Sequence, residues 1–367
     1  MSFALFSTTN VQFASHAASV RPQFEAAPYG AKPTPWSSVT GGCERQPGPE
    51  RRANEQTLAK HQSPKLGHWR VASSEFPSSD ARPLRLINTK THRLVDFPEH
   101  RDEYPSYAIL SHRWLDEEVT YQEYLRPRDE TKRKSGYRKI LQACKQASRD
   151  GFEYIWIDTC CINQEDQDEV ARNVKSMYAY YGNSDVCYAY LVDISTKTGI
   201  SYLTQRLWRE SDWFKRGWTL QELVAPQQVV FFDSSWTQIG DKEKLKEEIH
   251  DLTGIPSSVL EGSKPIMEVD IRERMSWCAG RQTTIPADLV YSLLGILGVQ
   301  LEPDYKENVV NAFRRLQNAL INAYPEAYKI FEDSGNIHRI LISNNARVRL
   351  GIDTIDSGDA EYYSSHR

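Results

Sequence analysis

The chain of 367 residues is long enough for one large domain or two small ones. Apolar residues make up 40% of it, aromatics 11% and charged residues 26%, with a formal net charge of −4, so nothing global points to nucleic acid or an anionic membrane as a partner. No apolar run approaches the ~20 residues of a membrane-spanning helix, and the six cysteines lack CxxC spacing, which reads as reduced thiols in a cytoplasmic or nuclear compartment.

Residues 1–82 are rich in Ser, Pro, Ala and Gln without sustained periodicity, and a disordered tail is expected there. The first 24 residues hold no Asp or Glu and a single Arg, so a transit peptide is the other reading of that end. Ordered structure is predicted to begin at PLRLINTKTHRLVDF (83–97), as a small hairpin turning around Asn88 to Thr91. YAILSH (107–112), YIWID (154–158), VCYAYLV (186–192) and VVFF (229–232) read as buried strands. Between them, Tyr137, Ile140, Leu141, Cys144 and Ala147 share one helical face, as do Val170, Val174, Met177, Tyr178 and Tyr181. Leu245, Ile249 and Leu252 suggest a further helix, and from about residue 287 the pattern stays helical through Val309, Phe313, Leu316 and Leu320. Strands alternating with helices predict an α/β fold with a parallel sheet covered on both faces.

In such sheets ligands bind beyond the carboxyl ends of the strands. The first parallel strand runs into Ser111, His112, Arg113 and Trp114, and the second into Asp158, Thr159, Cys160, Cys161 and Asn163. That concentration of hydrogen-bonding and stacking groups marks a candidate ligand site, although Asn163 also fits a helix cap. Cys160 with His112 and Asp158 has the makings of a nucleophile, base and orienter. A zinc site is not expected, because neighbouring cysteines on a strand face opposite ways and no second pair has ligand spacing. The mixed-charge strip RPRDETKRKSGYRK (126–139) reads as a solvated face.

WFKRGWTLQEL (213–223) predicts a short helix entered at Gly217 and closed before Pro226. Within it Trp218 and Glu222 stand at i and i+4, so their side chains should be neighbours. At this point Glu222 is either a catalytic carboxylate or one half of a surface pair with Arg216 or Lys215.

Three of these segments resemble the successive motif blocks of the heterokaryon-incompatibility (HET) domain of fungi: YAILSHRWLDEEVTYQE, YIWIDTCCINQEDQDEVARNVKSMYAYYGNSDVCYAYLVD and WFKRGWTLQELVAP. LRLINTKTHRLVDF resembles the family's N-terminal hairpin, and RMSWCAGRQTTIPADLVYSLLGILGV with NAFRRLQNAL its C-terminal extension. The resemblance covers residues 83–322. It departs from the family at Ile285, Pro286, Ala287 and Asp288, where an Arg and an acidic pair are usual, and at EPDYKE, where a Leu-Tyr-Gly-Glu run is common. It implies a HET domain at 83–255, a helical extension at 256–322, and an unplaced segment at 323–367.

More distantly, LSHRW and WTLQEL resemble two stretches of the Toll/interleukin-1 receptor (TIR) domain, whose fold is flavodoxin-like. The resemblance implies a TIR-like sheet flanked by helices, with Glu222 at the position of the glutamate that enzymatic TIR domains use to cleave NAD. Trp218 takes the tryptophan position and Thr219 stands where a Cys is usual. Around Glu222, the candidate ligand site is Ser111, His112, Arg113, Trp114, Asp158, Arg216 and Trp218; the resemblance implies NAD as a substrate, and neither a cofactor nor a metal is expected. The HET resemblance implies an effector of programmed cell death in fungal non-self recognition; with no P-loop or repeat array in the sequence, a stand-alone cytoplasmic protein is expected, one that self-associates or answers to an upstream non-self sensor. A non-enzymatic signalling module and a Cys160/His112 hydrolase are the competing readings.

Overall fold

The computed structural model describes residues 80–98, 103–196 and 207–325. The readings made of residues 1–79 and 326–367 lie outside the described residues.

The strands are β1 (Arg85–Asn88), β2 (Leu94–Asp96), β3 (Tyr107–His112), β4 (Tyr154–Trp156), β5 (Val186–Leu191), β6 (Val229–Asp233) and β7 (Gln238–Asp241). The helices that accompany the sheet are α1 (Tyr121–Leu125), α2 (Asp129–Arg133), α3 (Ser135–Arg149), α4 (Asp158–Cys161), α5 (Gln167–Gly182), α6 (Thr219–Val224) and α7 (Lys246–Thr253). Beyond them come α8 (Ser257–Leu260), α9 (Ile271–Ser276), α10 (Asp288–Tyr291), α11 (Leu294–Leu297) and α12 (Val309–Ala323).

The seven strands form one sheet in the order β2-β1-β4-β3-β5-β6-β7. β4, β3, β5 and β6 run parallel. Every residue of β3, β5 and β6 is buried, as strands covered by helices on both faces must be, and so their sequences read as unbroken apolar runs. In chain order the parallel strands lie second-first-third-fourth, the doubly wound arrangement of flavodoxin-like sheets, with the switch point between β3 and β5. The α/β expectation therefore holds. The sheet is mixed rather than purely parallel: the β1-β2 hairpin joins it antiparallel through β4, and β7 adds an antiparallel edge on β6. β7 carries a half-exposed QIGD pattern with no run of apolar residues, so its sequence gave no strand signal.

Local chemistry explains the main boundaries. Asn88 Oδ1 accepts from the Lys90 and Thr91 amides at 3.1 and 2.9 Å and so folds the hairpin turn where it was expected. β4 ends at Trp156, two residues short of the predicted strand, because Asp158 starts a helical turn and takes the Thr159 amide on its own Oδ1 at 2.7 Å. Asp166 caps α5 through the Asp168 and Glu169 amides. Asn163, the expected cap, instead accepts from Gln122 Nε2 and the Glu165 amide in the preceding loop. On α7 only Ile249 is buried, while Leu252 stays 39% exposed and covers nothing. The helical segment from α9 to α12 shares the hydrophobic core of the sheet, burying Trp277, Leu294, Ile296, Phe313 and Leu316. Among the described residues no helix is long and apolar enough to cross a membrane.

Candidate functional site

Side chains alternate along a strand, so the last two residues of β3 leave on opposite faces of the sheet. Ser111 meets α6 and His112 meets the start of α4, which gives the carboxyl edge of the sheet two polar clusters.

On the Ser111 side, the Ser111 hydroxyl donates to Glu222 Oε2 and accepts from Trp213 Nε1 at 2.8 Å. The Tyr181 hydroxyl, which donates to the Leu110 carbonyl at 3.1 Å, faces the same carboxyl. Glu222 is 4% exposed. Burial raises its pKa to about 8; Ser111, Arg216 and Tyr181 pull the other way, and the Asp158 charge adds to the rise. The Glu222 carboxyl is consequently mostly neutral at pH 7, and among the described residues no cation is bonded to it. The surface pairing with Lys215 does not form, since Lys215 bonds Asp212 at 2.9 Å.

The ring linked to Glu222 through Ser111 is thus that of Trp213, not Trp218. Trp218 sits half-buried at the head of α6 and donates its Nε1 to Asp288 Oδ2 at 3.1 Å. The sequence spacing that singled out Trp218 ignored Trp213, which lies in the turn before the helix and reaches β3 only in the folded chain. Tyr181 escaped for the same reason, appearing in the sequence as one more apolar position on α5.

Backbone contacts fix α6. The Gly217 amide donates to Gln282 O at 2.8 Å, and the Gln282 amide returns a bond to Lys215 O at 2.6 Å. Gly217 was expected for its free backbone angles, but the reason is space: a Cβ there would lie 2.5 Å from Thr283 Cγ2. Thr219 Oγ1 donates to Trp213 O at 2.5 Å and accepts from the buried Arg281 Nη1 at 3.1 Å. At the other end of α6, Lys242, 3% exposed, donates its Nζ to the Leu223 and Pro226 carbonyls that the helix leaves open.

On the His112 side, the imidazole is buried, 1% exposed, and among the described residues neither ring nitrogen has a hydrogen-bond partner. Its Nε2 lies 3.7 Å from Asp158 Oδ1 and 3.8 Å from Glu118 Oε2. Burial, with the positive charges of Lys139 and Arg216, holds His112 well below its ordinary pKa, so it is a neutral base. Lys139 is buried against Glu118. It came from the strip expected to be solvated, and its place on the inner face of α3 decided otherwise. Trp114, 44% exposed, donates its Nε1 to Asp158 Oδ2 at 2.7 Å, and burial raises the Asp158 carboxyl to about 6.

Of the remaining site residues, Arg113 is tied to Asp212 at 2.6 Å. Arg216 is half-buried, and among the described residues its guanidinium has no hydrogen bond or ion pair, although Glu222, Asp288 and His112 all feel its charge. Cys160 is fully buried, its thiol directed at Ile157 O, and burial pushes it well above the usual thiol pKa. That is opposite to what a thiolate nucleophile needs, and no bond joins it to His112. Among the described residues no cluster of His, Cys, Asp or Glu is arranged to hold a metal ion. A hollow of about 490 Å³ lined by Thr89, His92, Lys145 and Arg149 lies at the opposite end of the sheet and touches none of the site residues.

Fold and site together define a doubly wound α/β domain with an occluded acidic site at the switch point of its sheet. Residues 107–206 match the family model of the heterokaryon incompatibility protein (HET), a span that includes Ser111, His112, Arg113, Trp114 and Asp158 and stops short of Glu222. The chain is 41% identical over 221 residues to the vegetative incompatibility protein HET-E-1 of Podospora anserina. That similarity covers 59% of this chain and 16% of the relative. No solved structure matches. The chain carries a domain of the HET family.

Proposed function

We propose that the chain acts in heterokaryon incompatibility, as an effector whose HET domain promotes programmed cell death by cleaving NAD between nicotinamide and ribose. The observation that carries the chemistry is the buried Glu222 carboxyl, bonded to Ser111 at the switch point of the sheet and, among the described residues, without an ion pair. Supporting the role is the relative's name, a vegetative incompatibility protein.

The chemistry follows from burial. A carboxyl that burial raises to a pKa of about 8 ionises once a cationic pyridinium ring is brought against it, because an opposite charge favours the charged form. The carboxylate then stabilises the positive charge that develops on the ribose as the C1′–N bond breaks. The bonding pair leaves with the nicotinamide nitrogen. Water adds its oxygen to C1′ and releases a proton to solvent. Arg216, whose guanidinium has no partner among the described residues, is free to bind a phosphate, and the exposed Trp114 offers a face for a base. The TIR-like ancestry of the site, self-association, and activation by an upstream sensor in the cytoplasm belong to the same proposal.

The test is nicotinamide release from NAD by the purified full chain, followed by chromatography at several protein concentrations. Wild type should release nicotinamide, with kcat/KM rising as pH is raised through about 8. No release at any concentration, or equal release by Glu222→Gln, defeats the glycohydrolase reading and leaves a non-enzymatic signalling module.

A further inference from the structure

Asp288 belongs to the segment where the chain departs from the family pattern, and α10 brings it onto the head of α6. One carboxylate oxygen, Oδ2, accepts the Trp218 indole N–H at 3.1 Å. The other, Oδ1, is buried and makes no hydrogen bond of ordinary geometry among the described residues, with the Tyr305 hydroxyl as the polar group that faces the same carboxyl. A buried carboxylate oxygen left open costs free energy unless something else fills it. Beside it lies Arg216, whose guanidinium is also without a hydrogen bond or ion pair among the described residues and whose charge acts on Asp288 as it does on Glu222. Two opposite charges with open bonding positions, flanking an indole, have the composition of a polar ligand site rather than of a finished structural pair.

The unpartnered atoms near this point extend the pattern. Among the described residues, Gln221 Nε2 on α6 and Ser292 Oγ, one residue past α10, are buried without partners as well. Ser292 Oγ lies 3.3 Å from where a Gly217 Cβ would stand, so α10 and the head of α6 are in direct contact there. The Gly217–Gln282 and Lys215–Gln282 backbone bonds hold the two segments in register.

We propose that Asp288 is a substrate-positioning residue, supplied by the helical extension, which fixes the Trp218 indole with one oxygen and receives a ligand hydroxyl with the other. The inference rests on the glycohydrolase reading and deepens it. The ligand class is a nucleotide: the carboxylate takes a ribose hydroxyl, the guanidinium a phosphate, and the indole face packs on a ring. The extension then completes the site built on the sheet, and the diverged stretch around Ile285 to Asp288 adds a second acidic side chain to that of Glu222.

Binding of NAD and of ADP-ribose to the full chain, measured by calorimetry alongside nicotinamide release, tests this. Asp288→Asn should weaken NAD binding by about tenfold, the scale of one lost hydrogen bond to a charged group, and raise KM while kcat stays close to wild type. Glu222→Gln should do the reverse, losing kcat and keeping Kd. Trp218→Phe, which keeps a ring but removes the anchoring N–H, should weaken binding by a few-fold and serves if Asp288→Asn does not fold. Unchanged Kd in both Asp288→Asn and Trp218→Phe, with melting temperatures at the wild-type value, overturns the positioning role and leaves the glycohydrolase reading standing. Binding without any nicotinamide release overturns the glycohydrolase reading, while weakened binding in Asp288→Asn still upholds the site. A wild-type chain that binds neither NAD nor ADP-ribose overturns both.

Discussion

The two faces of β3 solve the same problem in opposite ways. Both bury titratable groups at the carboxyl edge of the sheet. On the Ser111 face, Glu222 meets hydroxyls, and burial takes it up to about 8. On the His112 face, Asp158 receives an indole N–H and a backbone amide while keeping some solvent contact, and rises only to about 6. Next to it, Lys139 neutralises Glu118, and His112 is pressed toward its neutral form. The lesson is that a buried carboxyl remains chemically available where its partners are hydroxyls, and is locked into structure where its partner is an ammonium.

The largest effect should come from Glu222→Gln, which keeps the shape and removes the charge. A loss of nicotinamide release on the order of 10² to 10³-fold is expected, comparable to removing one preorganised transition-state contact; a loss of less than tenfold would place the chemistry elsewhere. Next, Lys139→Met leaves Glu118 buried without its cation and should cost about 3 kcal/mol of stability in a denaturant titration. If that variant unfolds at the wild-type midpoint, the His112 face is not the structural half of the comparison.

The pH dependence of stability separates the faces by sign. Glu222 has a folded pKa raised from 4.5 to about 8, so its contribution is full below about 4.5 and is lost as pH rises through 8. The groups facing it are Ser111, Tyr181, Asp158 and Arg216, and Asp158 and Asp288 add losses of the same sign up to about 6. His112, faced by Lys139, Arg216, Glu118 and Asp158, is depressed, so its contribution is present above its ordinary 6.5 and is lost as pH falls. Melting curves between pH 5 and 9 should therefore show Glu222→Gln flattening the alkaline limb and His112→Leu the acid limb. Both variants flattening the same limb would contradict the assignment.

The smallest effect is that of Trp114→Phe, which deletes the indole N–H donated to Asp158. It should cost at most about 1 kcal/mol and push the Asp158 carboxyl further up, a shift visible by NMR titration. An unmoved Asp158 would mean that the Thr159 amide alone holds it.

Much of this was legible in the residues themselves. Continuous apolar runs such as YAILSH and VCYAYLV can only be strands covered on both faces, so the α/β class and the position of a site beyond their ends followed from burial alone. Asn88 turned the hairpin and acidic residues opened α5 because those effects are local. The edge strand β7 was not legible, for its half-exposed residues carry no pattern of their own.

Tertiary structure alone decided the partners. Ser111 and Glu222 are 111 residues apart, and Ser111 and Trp213 are 102 apart. Helical spacing could therefore offer Trp218 as a neighbour, but could not see that Trp213 would reach Ser111. Lys139 looked solvated because its charge was visible and its helix face was not. Gly217 looked like a helix entry chosen for its backbone freedom because the Thr283 side chain that excludes a Cβ comes from the helical extension. Local periodicity fixes which residues are inside, since burial follows from each segment's own pattern. Which buried groups share a hydrogen bond, and hence which carboxyl is left to do chemistry, depends on contacts between distant segments that only the folded chain makes.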